Sequence, residues 1–304
     1  MSPTQQSSVV RQEAVVAATA TTVFDLVADV TRWPQFFSAG VHAEVLEERS
    51  GGDTVRRYAL DGDSVRTWTS RRSLDRAGLL IEARNVAGEP GRQDGVRWSF
   101  TEVTAGSTRI EVEHTTDGDP DVTAARSQRQ LDELVATAAR ATELEQLVIS
   151  FTDPLFIAGA KADAYEFLYA ADKWPDRVPH VSKLTMTEDV RNIQFFDMDT
   201  VTPDGRGHTT RSVRVCTPDL IVYKQIGLPV LLDAHTGHWR FTETPEGVEV
   251  EARHTATIKP SALSALGEGT TVQDARRYLR RVLSTNSLQT LRYAQAFVEE
   301  NASR

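Results

Sequence analysis

Four landmarks occur twice in this chain, in the same order and at nearly constant spacing. Trp33-Pro34 returns as Trp174-Pro175, Ser70 and Arg72 return as Ser212 and Arg214, Trp98-Ser99-Phe100 returns as Trp239-Arg240-Phe241, and His114-Thr115 returns as His254-Thr255. The offsets lie between 140 and 142 residues. Whatever architecture serves one half must therefore serve the other, which removes most candidate folds at once. The 304 residues divide into two lengths near the roughly 150 residues of an ordinary domain, each long enough for its own core. The expected domains are residues 8–145 and 146–304.

Within each half the hydrophobic period changes along the chain. Ser8 to Val16 reads as a strand. Thr21 to Val27 reads as a short helix with a threonine cap, which Trp33-Pro34 ends because proline disfavours helical geometry in the residue before it. Strand candidates follow at 41–48, 54–60, 64–72, 78–84, 94–103 and 107–116, separated by turn clusters such as Ser50-Gly51-Gly52-Asp53. After Asp119-Pro120, Leu131, Leu134, Val135 and Ala138 fall at helical spacing. The second half repeats the plan: a strand from Leu147 to Asp153, a helix from Ala160 to Ala170, and strands near 182–188, 192–199, 206–216, 219–225, 236–243 and 247–256. A long helix then runs from about Thr271 to Glu299. The apolar loop Gly227-Leu228-Pro229-Val230-Leu231-Leu232 is either a binding surface or a segment buried against that helix. The fold class is α+β: two tandem antiparallel sheets, each with a long C-terminal helix packed on it.

One strand in each half carries unusual chemistry. Successive strand residues face opposite sides, so Arg66, Trp68, Ser70 and Arg72 share a face. A strand that only closed a core would alternate aliphatic with polar residues; a ring, a hydroxyl and two guanidiniums suit the wall of a ligand cavity. His208, Thr210, Ser212 and Arg214 form the second copy, with Thr210 in place of Trp68, so the two cavities should differ in shape. Arg72 and Arg214, if buried, require a carboxylate, water or a polar ligand. His114 shares a face with Ile110 and Val112, and His254 with Val248 and Val250, so both imidazoles point inward, as core groups or as proton handlers. Trp98 with Phe100, and Trp239 with Phe241, have the spacing of core aromatics and also reach the same interior.

Composition excludes several classes. With 34 basic and 43 acidic residues the chain lacks the broad basic surface of a nucleic-acid binder. No apolar run approaches the roughly 20 residues of a membrane span, and the N-terminal residues carry no secretion signal. The lone Cys216 fits a reducing cytoplasm and a structural thiol. No phosphate-binding glycine loop and no nucleophile elbow occur. His235 and His238 are three apart in a strand and so face opposite sides, unlike a metal pair. Neither a metal nor a cofactor is called for.

The order of a strand, a short helix with Trp-Pro, a sheet containing Trp-x-Ser-x-Arg, a Trp-x-Phe strand and a long closing helix resembles the helix-grip fold of the START-like polyketide cyclases. Two tandem copies resemble the di-domain aromatase/cyclases of bacterial type II polyketide synthases. The resemblance implies a curved sheet wrapped around the C-terminal helix, with an interior cavity. It also implies a poly-β-ketone held on an acyl carrier protein through phosphopantetheine, other synthase subunits as partners, first-ring aldol closure between carbons 7 and 12, and dehydration to an aromatic ring. Its pocket residues fall on Ser70, Arg72 and Trp33, and on Ser212, Arg214 and Trp174 in the second half. Arg66, Trp68, Trp98, His208, Tyr223 and Trp239 are expected to contact substrate, and His114 or His254 to move protons. The pocket tyrosine that follows Trp-Pro in single-domain relatives has no counterpart, since Gly40 and His180-Val181 stand there. The same fold also serves carriers of hydrophobic ligands, whose cavities should be lined mainly by aliphatic residues.

Overall fold

The computed structural model describes residues 7–87, 94–201 and 207–302. They form two compact units, one ending at Glu143 and the next beginning at Leu144. In the first unit β1 (Ser8–Val16) leads into α1 (Ala20–Ala28), a single 3-10 turn at Val30–Arg32, and α2 (Trp33–Phe36). Six strands follow: β2 (Gly40–Arg49), β3 (Gly52–Asp61), β4 (Ser64–Asp75), β5 (Leu80–Ala87), β6 (Gly95–Thr104) and β7 (Ser107–Thr116). They make one antiparallel sheet in the order β1-β7-β6-β5-β4-β3-β2. Helix α3 (Pro120–Ala138) closes the unit against β1 and β7. Asp119 caps it by accepting from the Asp121 and Val122 amides, with Pro120 in the first turn. Its buried face is Ser127, Leu131, Leu134 and Ala138; each fully buried leucine contributes about 1.5–3 kcal/mol.

After α4 (Ala141–Leu147) the second unit repeats this course. It runs β8 (Val148–Ile157), α5 (Lys161–Tyr169), α6 (Trp174–Arg177), β9 (Val181–Val190), β10 (Ile193–Val201), β11 (Gly207–Thr217), β12 (Leu220–Gly227), β13 (Leu232–Thr244), β14 (Gly247–Ile258) and α7 (Val272–Ala302). Strand order is β8-β14-β13-β12-β11-β10-β9. Pro154 sits within β8, which lies at the sheet edge where a missing N–H is tolerated.

One detail corrects the sequence reading. Trp33-Pro34 and Trp174-Pro175 open one-turn helices rather than end the preceding ones, because proline in a first turn loses no helical hydrogen bond. Helix α7 also outruns α3. The α3 face Ser127, Leu131, Leu134 and Ala138 recurs as Ser287, Leu291, Ala294 and Val298, each 160 residues on, which leaves residues 272–279 as two added turns. Ala275 and Leu279 of these turns pack on Leu147, Ile149 and Ile258, and on Leu231 and Leu232, the two buried residues of the apolar loop, whose Gly227, Leu228 and Pro229 are half-buried and whose Val230 is exposed.

Candidate active site

The inner face of the first sheet, Trp33 and α3 together enclose a cavity of about 290 Å3. Strand β4 lines it with Arg66 and Trp68, β3 with Arg57, β6 with Trp98, β7 with His114, and α3 with Ser127. Trp33 is held by its indole N–H, which donates to the Val27 carbonyl at 3.2 Å. Tyr58 also borders the cavity, with its hydroxyl 3.3 Å from Glu44.

Arg57 is the central cation. Its guanidinium carbon lies 5.1 Å from the Trp33 ring centroid and 4.9 Å from that of Trp68, an aromatic sandwich that favours the charge. Nη2 donates to Ser70 Oγ at 2.8 Å, whereas the buried Nε has no partner. Burial, then the like charges of Arg72 and Arg66, push Arg57 down to about 9 against the opposing pull of Asp53; it stays cationic at neutral pH. His114 is pushed down to about 4 by burial and by Arg57, with Asp94 opposing, so its imidazole is neutral. Its buried Nε2 has no protein partner, and neither does Ser127 Oγ. Three polar atoms around one cavity thus lack hydrogen bonds. A buried group left so costs about 1–3 kcal/mol, which a ligand with several oxygens would recover.

Ser70 and Arg72 share the inward face of β4 as expected but stand outside the cavity lining. Ser70 is fully buried, accepting from Arg57 and donating to Asn85 Oδ1 at 2.9 Å. The Arg72 guanidinium is taken up by protein: Nε and Nη2 bond Asp53 at 2.7 and 2.6 Å, Nη2 reaches the Ala28 carbonyl at 2.7 Å, and Nη1 the Val27 carbonyl at 3.3 Å. The expectation that Arg72 meets the ligand is corrected: the carboxylate of Asp53 and the free carbonyls ending α1 satisfy the buried charge. Arg72 ties the sheet to the segment that carries Trp33.

Arg214 is bound in the same way, with a neutral partner. It is 1% exposed and donates to Gln194 Oε1, to the Leu168 carbonyl at 2.8 Å and to the Tyr169 carbonyl at 2.7 Å. Gln194 in turn donates to Glu188 at 2.8 Å, so the compensating charge sits one link away. Burial holds Arg214 below the usual guanidinium value. Strand register aligns further exchanges: Arg57 with Met198, Val55 with Phe196, Ala83 with Tyr223, Val96 with Gly237, and Asp94 with His235. Met198 packs on the core containing Trp174 and Trp239, both 7% exposed. A Cβ at Gly237 would come within 2.3 Å of the Tyr223 hydroxyl, so the glycine makes room for that phenol inside the sheet. Tyr223 Oη lies 2.8 Å from His254 Nδ1, which is 3.1 Å from His235 Nε2; His235 Nδ1 meets Gln225 at 2.9 Å. Burial and His235 hold His254 well below its ordinary value. Ser212 is buried at 3% exposure. Of His208 only the backbone, paired with Thr200, is described; its side chain lies outside the described residues. Cys216 is buried, and burial raises its thiol to about 11, as suits a structural role.

Sequence reading missed Arg57 and Ser127. Both had a signal in their phase: Arg57 falls on the face of Val55, directly opposite Trp68, and Ser127 stands one helical turn before Leu131 on the core stripe. Among the described residues no cluster of three or more His, Cys, Asp or Glu is placed to hold a metal, and no helix is long and apolar enough to cross a membrane.

Residues 16–143 match the family model described as polyketide cyclase / dehydrase and lipid transport. The actinorhodin polyketide synthase bifunctional cyclase/dehydratase of Streptomyces coelicolor is 40% identical over 92% of this chain and 93% of its own. The granaticin polyketide synthase bifunctional cyclase/dehydratase of Streptomyces violaceoruber is 38% identical over 92% of this chain and 90% of its own. The crystal structure of StfQ, a di-domain aromatase/cyclase from the steffimycin pathway, is 51% identical with a TM-score of 0.89, covering 97% of this chain and 100% of that one. Duplicated helix-grip units, a polar interior cavity and likeness along nearly the whole chain lead to one conclusion: the protein belongs to the di-domain aromatase/cyclases, the bifunctional cyclase/dehydratases of type II polyketide synthases.

Proposed function

We propose that the first unit receives a poly-β-ketone tethered to an acyl carrier protein by phosphopantetheine, folds it, closes the first ring between carbons 7 and 12, and dehydrates that ring toward aromaticity. The observation that carries this reading is the set of three unpartnered buried atoms, Arg57 Nε, His114 Nε2 and Ser127 Oγ, around one cavity. A chain bearing oxygen at alternate carbons supplies acceptors to Arg57 Nε and Ser127 Oγ, and its acidic methylenes and enol hydroxyls supply the proton that the His114 Nε2 lone pair accepts. A carrier of aliphatic ligands would leave them unsatisfied.

The chemistry follows from their properties. Holding a flexible chain in one fold lowers the entropic barrier by up to several kcal/mol. Neutral His114 removes a proton from a methylene already acidified by two carbonyls, and the Arg57 cation stabilises the enolate oxygen. The enolate carbon attacks a ketone carbon, and the resulting alkoxide takes the proton back from the imidazolium. For dehydration the same imidazole removes the adjacent C–H proton and returns it to the departing hydroxyl, which leaves as water. The base is regenerated and no redox partner is needed. In the second unit Met198 replaces the cation and Tyr223 occupies interior space, which assigns that unit a supporting role in this reading.

The full chain carrying Arg57→Met or His114→Gln, assayed in a reconstituted synthase, is expected to divert product to uncyclised or wrongly cyclised shunts. Unchanged product from both variants would overturn the proposal.

A further inference from the structure

The cavity runs from buried residues such as Trp98 to exposed ones, and at its exposed end α3 presents two guanidiniums, Arg126 and Arg129. They lie three apart and so on one side of the helix. Arg126 bonds Asp61 Oδ1 across the opening at 2.6 Å, with both side chains about two-fifths exposed. Arg129 makes no hydrogen bond or ion pair with any described residue. Glu133, the other carboxylate lining this end from α3, is already engaged by the Ser38 amide and hydroxyl. Arg66 adds a third cation from β4, stacked 4.6 Å from the Trp68 ring centroid. Formal net charge over the whole chain is −9, so this rim is a local reversal of sign.

The second copy acts as an internal control. At the 160-residue offset of the helix faces, Arg126 becomes Asn286, Arg129 becomes Gln289 and Glu133 becomes Tyr293. Both helix cations are absent from the copy that also lost the cavity cation Arg57. Solvation of a helix face does not explain why two cations accompany the cavity, whereas an anion that must sit at its mouth does.

We infer that Arg129, with Arg126, forms a phosphate subsite at the cavity mouth that grips the phosphodiester of the carrier's arm while the polyketone lies inside. This rests on the carrier-arm reading above. Arg126 is drawn partly from Asp61 when the phosphate arrives, and the planar forks of the two arginines suit its oxygens.

The test compares two thioesters of the same β-ketoacyl chain, one on phosphopantetheine and one on pantetheine, by titration calorimetry against the full chain. Wild type is expected to bind the phosphorylated form about tenfold more tightly at low salt, a preference that shrinks as salt is added. In Arg126→Asn/Arg129→Gln, which imitates the second unit, the two thioesters are expected to bind equally and the pantetheine affinity to stay unchanged. No preference in wild type, or a preference that survives in the double variant, overturns the phosphate subsite alone. Failure of both thioesters to bind overturns the carrier-arm reading as well.

Discussion

Arg57 and Met198 occupy the same place in the two copies and differ by one charge, and that exchange sets a buried cation at the cavity of one unit against an apolar contact with the Trp174 and Trp239 core in the other. The proposed role of His114 beside Arg57 rests on burial and the neighbouring cation, which keep its imidazole unprotonated far below the usual histidine range. A base with the ordinary value near 6.5 loses activity as pH falls through 6.5; this one keeps its lone pair until pH approaches 4. The kcat/KM for cyclisation should therefore stay level between pH 7 and 5.5 as far as this base is concerned. A fall of about tenfold per pH unit beginning near 6.5, absent from His114→Gln, would contradict the role.

The element that positions these groups is the β3–β4 pair, and Arg72 is its anchor. Asp53 and the carbonyls ending α1 hold one guanidinium between sheet and helix, which fixes the Trp33 turn against Arg57. Removing the carboxylate leaves a buried charge short of its partner, so Asp53→Ala should cost about 3–5 kcal/mol. Asp53→Asn, which imitates the neutral Gln194 acceptor, should cost less, because its one amide oxygen can still accept from the guanidinium, as Gln194 Oε1 does from both Nε and Nη2 of Arg214. Urea unfolding followed by tryptophan fluorescence reads both; an Asp53→Asn variant as stable as wild type would mean that the carboxylate charge is immaterial, and equal losses would mean that the acceptor oxygen adds nothing beyond the charge. The Trp-Pro turns act at the same scale: proline starts each one-turn helix, and the indole N–H ties it to the preceding helix.

For the whole molecule, the proposed function has one unit carry the chemistry while the duplicated other diverges. It also concentrates buried histidines. His114, His180, His235 and His254 are all held below 6.5, mainly by burial. The unfolded chain binds these protons first, so it gains them as pH falls below about 6.5, and unfolding becomes progressively easier until the lower folded values, about 4 for His114 and His235, are reached. Stability should accordingly drop on acidification from pH 7.5 to 5 and recover on return. An unchanged denaturation midpoint across that window would refute the linkage.

Much of this was legible in the residues alone. The repeat set the duplicated plan, the change of period from two to about 3.6 set the α+β layering, and the shared face of Arg66, Trp68, Ser70 and Arg72 was correct because strand alternation is a local property. Which polar group on that face meets the cavity was not local. It depends on Asp53 and the α1 carbonyls, 19 and 44 to 45 residues from Arg72 in sequence, arriving to neutralise one guanidinium and leaving the next strand's Arg57 open. The placing of the rim cations and the Tyr223–Gly237 exchange are likewise decided by neighbours that only tertiary packing brings together.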